Sequence, residues 1–133
     1  MDSRKLNLIK EGIAKFDDYN LYSQIIGLVE SVPPQERDYT LWMELGRAYS
    51  NRGVLGDDNY YQQEGRELNP ELQENIEKSL EIFEIVKKEG EQDPLWWKRM
   101  GYSYLMYDGD DALYQALECA KRWQELSPQD QDA

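Results

Sequence analysis

The chain has 133 residues, the length of one domain, and its 40% hydrophobic content is enough for a packed core beside 32% charged residues. Its formal net charge of −12 opposes a phosphate-binding surface and docking on anionic lipid, both of which need clustered Lys and Arg. Histidine is absent and Cys119 is the lone cysteine, which removes the commonest general base, any internal disulfide and any Cys-rich zinc site.

A basic protein or peptide is the electrostatic expectation for a partner, although solubility alone accounts for an acidic surface. The opening MDSRKLNLIKEG lacks the apolar centre of a signal peptide, and no run reaches the length of a membrane span. A cytoplasmic location is expected, with no nucleic acid, membrane or cofactor as partner.

Along the chain, Leu6, Ile9, Ile13 and Phe16 fall on one face of an opening helix. Asp17-Asp18 is expected to cap the next, whose stripe is Leu21, Ile25, Leu28 and Val29, and Ser31-Val32-Pro33-Pro34 breaks it. Asp38 begins the helix that holds Trp42, Leu45, Gly46 and Tyr49. The stretch GVLGDDNYYQQEGREL, residues 53–68, has three glycines and weak periodicity, and reads as a loop with a short helix around Tyr60.

Asn69-Pro70 then caps a helix from Pro70 to Glu89, with Leu72, Ile76, Leu80, Phe83 and Val86 at helical steps and Ile82 and Ile85 widening the stripe. Gly90 stops it behind the basic pair Lys87-Lys88. Asp93-Pro94 starts a helix to Tyr107 with Trp97, Met100, Gly101 and Tyr104 on one face. After the turn Asp108-Gly109-Asp110, a last helix runs from Asp111 to Leu126. Its expected inner face is Ala112, Leu113, Ala116, Leu117, Ala120 and Trp123, leaving no long apolar stripe outside. Ser127-Pro128 ends it, and residues 129–133 are expected to fray. Helix and turn alternate throughout, so the fold class is all-α.

The paired carboxylates Asp57-Asp58 and Asp110-Asp111 sit at turns, where acids cap helices, rather than in the buried cleft that acid–base catalysis needs. DGDD at 108–111 lacks the twelve-residue spacing and closing Glu of a calcium loop. Cys119, with no histidine to activate it, reads as a half-buried thiol. No catalytic, cofactor-binding or metal-binding residue is expected.

Two stretches share a pattern. TLWMELGRAY at 40–49 and DPLWWKRMGYSY at 93–104 each carry a Trp, an apolar residue three positions on, a Gly directly after it and a Tyr three further. Glycine in a helix interior costs about 1 kcal/mol against Ala, so its repetition at equivalent places needs a packing reason. A bare Cα lets a neighbouring helix come close while Trp and Tyr fill the space beyond it.

This pattern, followed by an Ala-rich helix and a proline, resembles the tetratricopeptide repeat (TPR). Trp42, Leu45, Gly46 and Tyr49 match the first helix of one repeat, and Trp97, Met100, Gly101, Tyr104, Ala116, Ala120 and Pro128 match another. The two tryptophans lie 55 residues apart rather than about 34. That places an insertion of about twenty residues at 54–68, where the periodicity fails. The chain is also similar to small bacterial single-domain proteins of this repeat class through PPQERDY and DPLWWKRMGYSY. The resemblance implies about three antiparallel helix-turn-helix hairpins stacked as a short right-handed α-solenoid: a degenerate repeat at 3–34, a repeat at 37–89 with the inserted loop, and the best-matched repeat at 93–128.

The resemblance also implies a function, a non-enzymatic module that binds a peptide or protein segment in the concave groove lined by the first helix of each hairpin. The positions that grip a peptide carboxylate in such grooves hold Met43, Arg47 and Ser50 in one repeat and Lys98, Tyr102 and Leu105 in the other. Of these, only Arg47 and Lys98 suit that chemistry. Trp96, one position off the signature face, joins Met43, Arg47, Ser50, Lys98 and Tyr102 as a candidate contact. The alternative function is an acidic stoichiometric inhibitor, of the immunity-protein type, that caps a basic partner. A monomer is expected, because a charge of −12 keeps two copies apart.

Overall fold

Asp2 accepts a hydrogen bond from the Lys5 backbone N–H at 2.8 Å and opens α1 (Ser3–Asp18) in the way an N-cap carboxylate does. The computed structural model describes residues 2–63 and 66–129, and those residues form seven α-helices and no strand. The expected fraying at 129–133 lies, from residue 130 on, outside the described residues. Asp17 and Asp18 belong to the last turn of α1 and do not cap its successor. α2 (Tyr22–Glu30) is capped from a distance instead: the Asp57 carboxylate accepts from the Ser23 N–H at 2.8 Å and from the Ser23 hydroxyl at 2.6 Å.

α3 (Tyr39–Val54) starts at Asp38 as expected. The Asp38 carboxylate accepts from the Leu41 N–H at 2.9 Å and from Lys10 at 2.8 Å. Burial pushes this carboxyl up, but those two donors outweigh it and hold the pKa below the ordinary value. Between α3 and α4 the expected loop contains a 3-10 turn at Asp57–Gln62, with positive φ at Asp58 and Asn59. It is moored at its start, since Asp58 also donates its N–H to the Asn20 carbonyl at 2.9 Å.

The helix expected from Pro70 to Glu89 is shorter and divided. α4 spans Leu72–Ile85, with Asn69 Oδ1 accepting from the Glu71 N–H just before it. Val86 leaves helical geometry at φ −107°, ψ 22°, and α5 (Lys87–Gly90) is a single further turn. Gly90 rests against the Trp96 indole so closely that a Cβ there would lie 2.3 Å from its Cγ. The break at Val86 therefore leads into a contact that only glycine can make.

α6 (Pro94–Leu105) begins at Asp93, which accepts from the Leu95 N–H at 3.0 Å and from the Tyr39 hydroxyl at 2.6 Å. The second bond ties the start of α6 to the start of α3. α7 (Asp110–Leu126) completes the chain.

α1 packs on α2 and α2 on α3; α3 pairs closely with α4, and α6 with α7. Two apolar clusters result. One joins Ile9, Ile13, Ile25, Val29, Leu41, Leu45 and Ile82, and the other joins Met43, Phe83, Val86, Trp96, Met100 and Cys119. Trp42 packs against both, half-buried beneath the Arg37 guanidinium at 4.8 Å from its ring. Gly46 carries the close approach of α3 and α4, since a Cβ there would stand 2.6 Å from Phe83 Cε1. Among the described residues no helix is long and apolar enough to cross a membrane.

The inner face of α7 differs from expectation. Ala112, Ala116 and Cys119 are buried, while Leu113 and Leu117 point outward. Small residues win the contact because α6 meets α7 at Gly101, whose Cβ position lies 3.1 Å from Cys119 Cβ. Leucine side chains do not fit so narrow a gap, and the helix turns them away from it.

Candidate binding groove

That rotation of α7 gives leucines to a groove of about 1020 Å³ among the described residues. α6 contributes Leu95, Trp97, Lys98, Arg99, Gly101, Tyr102 and Leu105. α7 contributes Asp110, Leu113, Tyr114, Ala116, Leu117, Ala120 and Trp123, and α3 adds Arg47, Ser50 and Asn51. Leu113, Tyr114 and Leu117 keep 59%, 62% and 55% of their surface in solvent, and Leu105 keeps 56%. Apolar side chains so exposed and so close together mark a recognition surface more often than an ordinary one.

Polar groups stand at defined places around it. Arg47 binds Asp17 at 2.8 Å and Glu44 at 3.4 Å, and Arg99 reaches Glu44 at 3.8 Å and the Met43 carbonyl at 3.3 Å. Burial lowers the Arg99 pKa while Glu44 opposes the shift, and the guanidinium stays charged at neutral pH. Lys98 has no carboxylate partner among the described residues; its ammonium sits 4.8 Å above the Trp123 ring, where the face of the π system attracts a cation. The Ser50 hydroxyl, buried at the α3 edge, has no hydrogen-bond partner among the described residues.

The structure brings together four of the six residues singled out in the sequence as candidate contacts: Arg47, Ser50, Lys98 and Tyr102 all line the groove. The other two are corrected. Met43 is 3% exposed, packed with Trp96 and Met100 in the second cluster. Trp96 is 1% exposed and donates its indole N–H to the Phe83 carbonyl at 3.0 Å, so it is a core residue. Of that adjacent pair, Trp97 is the one that reaches the groove, half-buried, with its N–H on the Glu91 carbonyl at 3.1 Å.

Sequence reasoning missed Leu113 and Leu117 as surface residues. A signal was present. α7 carries a small stripe, Ala112, Ala116 and Cys119, beside a large one, Leu113 and Leu117, and a helix facing a glycine buries the small one.

A second concavity, of about 840 Å³, lies between α4 and the α6–α7 turn. Its lining includes Glu77, Glu81, Glu84, Asp108, Asp110 and Asp111 with Leu80 and Tyr104, and no Lys or Arg. The chain matches no protein-family model, no curated protein and no solved structure.

Proposed function

We propose that this protein is a non-enzymatic interaction module of the tetratricopeptide-like kind, in which stacked helical hairpins hold a segment of another protein in the groove between α3, α6 and α7. The observation that carries the reading is the groove itself, whose exposed Leu105, Leu113, Tyr114 and Leu117 gather around half-buried Trp97 and Trp123. Burying such side chains against a partner is worth about 25 cal/mol per Å² before the costs of association. Its mixed lining also fits a peptide better than a small substrate, because no nucleophile and base are paired in it. A selection from a random peptide library tests the reading. Sequences enriched on the wild-type protein should be lost on Leu117→Asp, a substitution at an exposed site that leaves the fold intact. Enrichment that is absent, or indifferent to that substitution, would contradict it.

The acidic cleft supports a second reading, a stoichiometric inhibitor that caps a basic surface with the carboxylates of α4 and of the α6–α7 turn. Reversing Glu77, Glu81 and Glu84 to Lys should abolish capture of a basic partner under that reading and leave groove binding unchanged under the first.

A further inference from the structure

Resting on the segment-binding reading, we infer that the α6–α7 flank is a seat for one amphipathic α-helix of a partner protein. That helix buries an apolar face on Leu105, Leu113 and Leu117 and places a carboxylate beside Lys98.

The internal repetition of the chain indicates the shape of the occupant. With an offset of 55 residues, Lys98, Tyr102 and Leu105 of α6 stand where α3 has Met43, Arg47 and Ser50. On the earlier hairpin that flank receives a helix at Met43, while Arg47 and Ser50 line the groove: α6 lies on α3 and α4, Met43 packs with Trp96 and Met100, and Ser79 Oγ meets Ser103 Oγ at 2.9 Å. α6 makes this contact through Trp96, Met100 and Ser103, all buried at steps of four and three. On the later hairpin the equivalent flank carries no helix among the described residues, and Leu105, Leu113 and Leu117 lie open beside it. A flank that receives a helix in one hairpin presents the same kind of slot in the next.

Backbone chemistry points the same way. The described residues contain no strand, so no sheet edge offers hydrogen bonds to an extended segment. A segment entering an apolar groove must then satisfy its own N–H and C=O groups, and a helix does so internally. Charge selects among helices. The charged residues lining the groove are Arg47, Lys98 and Arg99 against Asp110 alone, in a molecule of net charge −12. The two arginines already hold Asp17 and Glu44, which leaves Lys98 as the cation open to a carboxylate from outside. At physiological salt, charges beyond about 8 Å are largely screened, so Lys98 acts on a carboxylate placed beside it despite the acidic remainder of the surface.

Three synthetic peptides of about four helical turns test the inference by fluorescence anisotropy on the intact chain. The first has leucines at helical spacing flanked by Glu, the second has Lys in place of those Glu, and the third is the first with a central proline. The first should bind, the second about fivefold more weakly, and the third not measurably. Lys98→Glu should invert the preference between the first two, and circular dichroism of the variants checks that they remain folded. A lysine peptide that binds as well as the glutamate one, a proline peptide that binds equally, or no binding by any of them would overturn the inference. The library selection would still stand on its own in each of those cases, so failure here is separable from failure of the module reading. Light scattering of the protein alone that gave a dimer, dispersed by Leu117→Asp, would overturn it in favour of a second copy as occupant.

Discussion

Trp96 and Trp97 are neighbours in sequence and meet edge to face, with ring centroids 4.9 Å apart, yet one is sealed in the core and the other reaches the groove. The repeat pattern assigned the core role to Trp97, whereas the structure gives it to Trp96, because Gly90 and the Phe83 carbonyl make a pocket for that indole. Neither contact is visible as a local pattern, since each joins residues from a different helix. Gly46 was legible: a mid-helix glycine demanded a close approach, and Phe83 supplies it. Gly46→Ala is therefore expected to cost about 1–3 kcal/mol through overpacking, read as a lower urea midpoint. Gly101→Ala, whose added methyl meets Cys119 Cβ at the looser 3.1 Å, should cost less. An equal loss at the two sites would contradict this ranking. Cys119 offers a second check. Burial pushes its thiol up to about 11, with Glu118 adding to the shift. A folded-state pKa above the unfolded one means that its contribution to stability is complete below the unfolded value and is lost as pH climbs towards 11. At about pH 8, alkylation should accordingly be slow in the folded chain and fast in urea; equal rates would show the thiol to be open.

At the scale of elements, periodicity located the helices well wherever one face alone is apolar. α3 and α6 start directly after Asp38 and Asp93, the residues expected to begin them. It failed where two faces are apolar, as in α7, and where a tertiary contact interrupts a regular pattern, as at Val86. The stretch at 54–68 lay between these cases: its departure from helix was legible, but its mooring was not. Asp57 holds the N-terminal turn of α2 from 34 residues away, and Arg52 joins the same cluster by donating to the Ser23 hydroxyl at 3.4 Å. Losing a capping carboxylate typically costs about 1–2 kcal/mol. Asp57→Ala is thus expected to lower stability by that amount and to quicken proteolytic cleavage within 54–68. Cleavage that stayed at the wild-type rate would mean that the carboxylate does not moor the loop.

For the whole molecule, all-helical architecture followed from composition and spacing, because no segment alternates with the period of a strand. The groove's leucine wall did not follow, since it arises from the rotation of α7 about its own axis, a choice made by Gly101 and the small stripe against it. The same choice leaves leucines outside on a chain whose charge of −12 resists self-association, so light scattering at physiological salt should give a monomer mass. Hydroxyl-radical footprinting with and without a library-selected peptide tests the segment-binding account most directly. In the free protein Leu113, Tyr114 and Leu117 should label strongly while Met43, Trp96 and Met100 stay protected. Bound peptide should then suppress labelling at those three α7 residues and leave Leu80 and Tyr104 of the acidic cleft unchanged. Protection that appeared at Leu80 and Tyr104, with Leu113 and Leu117 still labelled, would contradict the account and place the partner on the carboxylate face.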